Sequence, residues 1–327
     1  MALNVNAAFA EFMRSTVNLT VNDYKQAKED VQELYSEIYK KTSNNFFCLY
    51  KDINMYFGSF ARKTKCQPLN DVDVMFGISA QGATYTENSW DDIIMTPSVI
   101  SKAQQGCKNS DGFLDSNMVL GKVKSLLTSL ADLRSCEIKK NHEAIVFNIK
   151  KRDWSFDIVP CFYTKPQSDG RQYYLIPDGK GNWKKTDPTI DKNHMLELAK
   201  LRDNMLPAIR LFKWWNKHSK TLTIEGYVME CLLAQYFENN ESSEYIDCDF
   251  ISLLKYFYYN ITNPIPDPKG IQDDLNYLDN KEASNLAQKA YNVYLKAVEA
   301  QEAERVNQQK AINLWRNIFG DDFPTYG

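Results

Sequence analysis

No run of apolar side chains in this 327-residue chain approaches the ~20 residues that cross a bilayer, so a spanning helix is not expected. The amino terminus, MALNVNAAFAEFMRS, places acidic and polar residues where a secretory signal would be continuously apolar, and a cytoplasmic protein is expected. A disulfide or zinc framework is missing too. Cys48, Cys66, Cys107, Cys136, Cys161, Cys231 and Cys248 include no CxxC pair and no histidine at ligand spacing, and they read as reduced thiols. His142, His194 and His218 stand apart from one another and read as structural or exposed. Positive charge is not in excess: 39 Lys and Arg against 42 Asp and Glu give a formal charge of −3. That balance argues against extended nucleic-acid binding, which depends on neutralising many phosphates, but it suits a small anionic substrate in one basic cleft. With 43% hydrophobic and 25% charged residues, no repeat and no low-complexity tail, the chain is globular and long enough for two lobes.

Residues 22–42 carry Tyr24, Ala27, Val31, Leu34, Tyr35 and Ile38 at three-and-four spacing, which predicts a long helix. Residues 52–57 read as a short approach to Gly58-Ser59. The stretch 71–78, DVDVMFGI, alternates in the period-two pattern of a strand with one buried face. Residues 79–116 are turn-rich. Asp115 or Ser116 caps an expected helix with Val119, Val123, Leu126, Leu127 and Leu130 on its apolar stripe. Strands at 144–149 and 154–162, separated by the polar stretch 150–153, form an expected hairpin. Prolines and glycines crowd 166–188, and helical periodicity follows: 203–218, 225–237, 248–258 and a long polar helix from about 281 to 318, beyond the turn NPIPDPKG. Two lobes are therefore expected, 1–165 and 166–327, the second mostly helical.

The informative segment is GSFARKTKCQPLNDVDVMF, residues 58–76. Residues two apart on a strand share a face, so Asp71 and Asp73 project together while Val72 and Val74 enter the core. Two carboxylates that close resist ionising together unless a cation neutralises them, and hard oxygen ligands suit Mg²⁺ or Mn²⁺. An isolated DxD is more often a solvated strand face; here neighbours shift the balance. Gly58 would let the backbone approach a phosphate, and Ser59 could donate to it. Arg62, Lys63 and Lys65 could supply positive charge nearby, or lie exposed on the surface. Asp157 sits among Phe156, Ile158 and Val159, where an acid is costly to bury without a partner. Asp153 shares its strand parity but falls in the expected turn. Three carboxylates on adjacent strands are what two-metal phosphoryl transfer requires, with Asp157 on the side of the acceptor hydroxyl.

The order GS, DVDVMF, then FDIVP resembles the polymerase-β-like nucleotidyltransferases. Two further stretches, YYLIPDGKGNWKKTDP (173–188) and LWRNIFGDDFP (314–324), resemble the bacterial cGAS/DncV-like nucleotidyltransferases (CD-NTases) of CBASS anti-phage systems. The likeness runs from about residue 45 to the carboxyl end. It implies an α+β fold: a polymerase-β-like core with a mixed sheet flanked by helices, a helical carboxyl-terminal lobe, and the active site in the cleft between. It also implies an enzyme that joins nucleoside triphosphates, one as donor and one as acceptor, into a cyclic di- or trinucleotide or short oligonucleotide signal, with two Mg²⁺ or Mn²⁺ ions per site. The family pattern assigns Gly58 and Ser59 to triphosphate contact, and Asp71, Asp73 and Asp157 to metal. Lys213, in IRLFKWWNK, matches a lysine that reaches the triphosphate; the competing reading is a solvated helix face. Trp214 and Trp215 beside it read as core. Related chains often start the next helix with Ser-Tyr, whereas this one has Gly226 before Tyr227. Either the Gly226 amide replaces the hydroxyl, or the correspondence is offset by one residue. Tyr227 either stacks on a base or packs in the core.

Two other readings compete. A transferase acting on an RNA end would keep the same chemistry, against the acidic balance and without a recognisable RNA-binding appendage. A catalytically inactive nucleotide- or partner-binding homologue would gain nothing from three clustered carboxylates. The long polar helix reads as a solvated buttress, and its charge leaves room for a regulatory protein partner.

Overall fold

The computed structural model describes residues 1–43, 45–130, 137–148, 152–219 and 223–327; Cys136 and residues 149–151, at the end of one expected strand and the start of its turn, lie outside them. The chain forms two compact units. A mixed unit comprises Val21–Ala61 and Leu69–Ile190, and a helical unit comprises Met1–Thr20, Arg62–Pro68 and Asp191–Gly327. The expected division cuts the chain once, near 165. The compact units instead change over after Ile190, and the helical one also draws in the amino terminus and the short piece that begins at Arg62.

In chain order the elements are α1 (Val5–Phe12), α2 (Val21–Lys41), β1 (Met55–Tyr56), α3 (Gly58–Ala61), β2 (Asp71–Gly77), β3 (Thr84–Ser89), β4 (Asp92–Thr96) and α4 (Lys102–Gln105). There follow α5 (Ser116–Thr128), β5 (Ile138–Asn141), β6 (Ala144–Asn148), β7 (Ser155–Tyr163), β8 (Tyr174–Pro177) and β9 (Trp183–Thr186). The remaining helices are α6 (Pro188–Leu201), α7 (Met205–His218), α8 (Gly226–Asn239), α9 (Ile246–Asn260), α10 (Asn280–Glu304) and α11 (Gln308–Phe319).

In the mixed unit the described strands run β1-β2-β7-β8-β9-β4-β3, with β6 also on β7 and β5 on β6. β7 is the hub. It lies parallel to β2 and antiparallel to β6 and, at its far end, to β8. Helix α2 buries Ala27, Val31, Leu34, Tyr35 and Ile38, as its spacing predicts, while Tyr24, the first residue of the expected stripe, is half-buried. It is fixed to the sheet by the Tyr35 hydroxyl, which donates to the Met75 carbonyl at 2.6 Å. Asp115 caps α5, accepting from the amides of Asn117 and Met118. The turn-rich readings of 79–116 and 166–188 are corrected: those stretches hold the β3–β4 hairpin and the β8–β9 pair.

The helical unit packs α1 against the chain's other end. Phe9 meets Trp315 and Phe323 edge-on at 4.9 and 5.0 Å, and the Ala2 amide donates to Thr325 O at 2.9 Å. Trp214 and Trp215 are buried, as their core reading requires. The long helix expected over 281–318 is two helices. Asn307 stops the run by capping α11, its side chain accepting from the Lys310 amide.

Candidate active site

Strand alternation makes the site. On β2, Val72 and Val74 are fully buried, and Asp71 and Asp73 face the other way. A one-residue register slip would expose two valines, each worth about 1.5–3 kcal/mol of burial, and would drive both carboxylates into the core, so the register is strongly specified. Parallel pairing with β7 sets Asp157 beside Asp73, and Ser155 beside Asp71. Two residues further along each strand the same face turns apolar: Met75, Val159 and Cys161 join a buried cluster with Ile53. The carboxylates thus sit at the edge of a low-dielectric wall, where charge interactions are strengthened.

Asp71, Asp73 and Asp157 are half-buried and offer oxygens that all lie within 4.8 Å of one another. Three hard anionic donors at that spacing can hold a divalent cation. Asp153 is exposed and outside β7, so it takes no part in the group.

Gly58 fits against this group. Its φ is +62°, and a Cβ built on it would fall onto Asp73 Oδ2 and within 2.9 Å of Asp73 Cγ. The Phe57 amide donates to Asp73 O at 2.9 Å, so the backbone on both sides is fixed and only glycine fits. Ser59 follows in α3, on the same short turn. Gly58→Ala costs about 1–2 kcal/mol for the left-handed backbone and pushes the Asp73 carboxylate aside. Misplacement of about 1 Å at a reacting centre costs ~100-fold in rate. The expected result is a fall of a few degrees in melting temperature with a roughly 100-fold loss of turnover. A variant as active as its parent would show that the close approach has no bearing on the chemistry.

The other residues singled out in the sequence fall in the helical unit. Arg62 is buried, and its Nε donates to Glu230 Oε2 at 2.8 Å. Lys213 Nζ donates to the other oxygen of Glu230, so its side chain is not a solvated surface lysine. Lys63 is exposed, with a φ of +60°, and its carbonyl accepts from Arg210. Burial alone would raise the Glu230 carboxyl, but the Arg62 guanidinium and the Lys213 ammonium overcome it and hold the group at about 2. Despite its burial, Arg62 is pushed above its ordinary value by Glu230.

Tyr227 is a junction. Its hydroxyl lies 2.5 Å from Asp191 Oδ1, 2.5 Å from Lys269 Nζ and 3.3 Å from Asp267 Oδ1. Arg62 Cζ and Lys269 Nζ lie 4.9 and 4.2 Å from its ring centroid. Burial, together with Cys231 and Asp191, pushes the phenol well up. Asp267 also accepts the amides of Lys269, Ile271 and Gln272, which ties the turn NPIPDPKG to the start of α8. Sequence reasoning missed Glu230, Asp191, Asp267 and Lys269. For Glu230 a signal existed: an acid flanked by Val228, Met229, Cys231 and Leu232 in one helix, the same kind of setting that marks Asp157. His194 pairs with Glu238 and His218 stacks on Trp214, away from the three carboxylates in both sequence and role.

A model of the Second Messenger Oligonucleotide or Dinucleotide Synthetase (SMODS) domain matches residues 3–198. A probable cyclic nucleotide synthase of Bacillus cereus (strain VD146) is 36% identical over 332 residues, covering 100% of this chain and 99% of that one. The cyclic AMP-AMP-AMP synthase of an Acinetobacter species is 28% identical over 212 residues, 60% of this chain and 58% of that one. Two solved structures of E. coli MS115-1 CdnC, one a complex with HORMA-deltaN and one with ATP, match at a TM-score of 0.71 over 98% of both chains. At 15% identity that likeness shows the fold, a polymerase-β-like mixed sheet with flanking helices and a helical carboxyl-terminal region. The family match over more than half of the chain and the full-length relative lead to one conclusion: the chain belongs to the SMODS family and is a CD-NTase, a nucleotidyltransferase that makes cyclic oligonucleotides.

Proposed function

We propose that Asp71, Asp73 and Asp157 hold two Mg²⁺ or Mn²⁺ ions and that the chain uses them to join nucleoside triphosphates, ATP among them, in a cytoplasmic anti-phage signalling reaction. The observation that carries this reading is the approach of the three carboxylates to within 4.8 Å with Gly58 pressed against Asp73. ATP as a substrate is supported by the name of the Acinetobacter relative and by the nucleotide in one CdnC structure. The CdnC complex with a HORMA protein likewise supports a regulatory protein partner. No helix among the described residues is long and apolar enough to cross a membrane.

When bound, the ions lower the pKa of the acceptor hydroxyl and offset charge on the departing pyrophosphate. Asp157, neighbour to Asp73 across the parallel pair, takes the proton of the acceptor hydroxyl as it attacks the donor α-phosphorus. The backbone at Gly58 and the hydroxyl of Ser59 donate to the triphosphate, and Lys213 brings it positive charge. Arg62 contributes indirectly, because its Nε is committed to Glu230. Tyr227 anchors the first turn of α8 through its hydroxyl.

The test is incubation of the protein with four radiolabelled nucleoside triphosphates and Mg²⁺ or Mn²⁺, followed by phosphatase treatment, chromatography and mass spectrometry. A phosphatase-resistant product that disappears in excess chelator is expected, and its mass and nuclease sensitivity name the bases and linkages. No product with either ion, with and without phage-infected lysate, would overturn the reading.

A further inference from the structure

Lys213 lies against the first turn of α8. A Cβ added to Gly226 would lie 3.6 Å from Lys213 Cε and 3.7 Å from Nζ, so the lysine's end occupies the space beside that glycine. One helical turn on, Glu230 is 1% exposed and receives Lys213 on one carboxylate oxygen and Arg62 on the other. A lysine ammonium has three donors. One is taken by Glu230, and the stem loses most of its rotamer freedom before any ligand arrives.

We propose that Glu230 is a positioning residue for nucleotide binding: it fixes the Lys213 ammonium beside Gly226, and Arg62 completes the carboxylate's hydrogen bonding. The inference rests on the reading that Lys213 contacts the triphosphate. Arg62 matters because a buried carboxylate facing one lysine alone would meet a large desolvation cost; a second cation keeps it ionised whether or not the lysine is shared with a phosphate. The arrangement also gives the glycine a meaning. Its Cβ position is at ordinary contact distance from Lys213, so a serine fits there and would set its hydroxyl next to the same ammonium.

The experiment measures KM and kcat for ATP in Glu230→Gln, Glu230→Asp, Lys213→Met and the Lys213→Met/Glu230→Asp double variant, each beside its melting temperature. Glutamine offers one acceptor oxygen for two cations, so one of them loses its place. Aspartate keeps the charge but withdraws it by one methylene, and it serves if the glutamine variant does not fold. The expected result is a rise of about five- to tenfold in KM for Glu230→Asp, a larger rise for Lys213→Met, and no further rise when the two are combined. A purely structural Glu230 would lower the melting temperature and leave KM unchanged, which would overturn the proposal, as would effects that multiply in the double variant. If Lys213→Met alone leaves KM unchanged, the triphosphate role of Lys213 fails and the positioning role falls with it. A raised KM in Lys213→Met with a silent Glu230→Asp removes the positioning role alone.

Discussion

Asp73→Asn is expected to reduce product formation by about a thousandfold or more while leaving the fold intact. Asparagine has the same shape, so Val72 and Val74 stay buried and the β2–β7 register is kept. What is lost is one of three anionic oxygens in a group only 4.8 Å across. Metal-assisted stabilisation of transition-state charge is worth several kcal/mol, and each ~1.4 kcal/mol is tenfold in rate. The melting temperature of each metal-free protein is the reference from which the effect of metal is read. The two proteins separate when metal is added. At a concentration 100-fold above its dissociation constant, a bound ion stabilises the folded state by about 2.7 kcal/mol. A clear upward shift of the parent's melting temperature with Mn²⁺ should therefore be absent or much reduced in the variant. Asp71→Asn and Asp157→Asn should behave alike, since all three residues offer ligands. A full Mn²⁺ shift in all three variants would remove the metal assignment, and full activity in any of them would remove that residue from the machinery.

These three acids were legible in the sequence for different reasons. Asp71 and Asp73 announce themselves through the valines between and after them, because period two fixes which residues share a face. Asp157 stands out as an acid in an apolar strand. That Asp157 sits beside Asp73, with Ser155 beside Asp71, was not legible, since pairing between strands more than 80 residues apart depends on the whole sheet. The missed strands share a cause. β3 reads TYTENS and is exposed along most of its length, so it has no apolar face to alternate, and β8 is four buried residues ending in a proline. Helix α10 ran on in the sequence reading because VEAQEAERVNQQK is good helix-forming material throughout. Only the capping bond of Asn307 shows where it stops. The cluster around Glu230 was out of reach because its members come from Arg62, α7 and α8, and a helix period alone says nothing of partners so far apart in the chain.

The largest effect on stability from a single side chain is expected at Glu230. Removing one member of a buried ion pair typically costs about 3–5 kcal/mol, chiefly because the partner is left charged and unpaired. Here Glu230→Ala strands two cations, Arg62 with 8% and Lys213 with 15% of their side-chain surface exposed. The upper part of that range is therefore expected. The same residue sets an acid limit. Its carboxyl is held at about 2, against an ordinary 4.5, so the folded state holds its proton less readily than the unfolded chain does. Stability from this depressed group is fully present above about pH 4.5 and is lost as the pH falls from there towards 2. Asp191 and Asp249 act in the opposite direction, because burial raises both, Asp249 to about 6, and acidification favours their folded forms. The Glu230 contribution is therefore isolated by difference. Urea midpoints of the parent and of Glu230→Ala, measured from pH 6 to pH 2, should lie far apart at the upper end and draw together as the pH falls below 4.5. A gap that stays constant across the window would mean that Glu230 is not held ionised by its two cations. No gap at pH 6 would mean that the ion triad adds nothing to the helical unit.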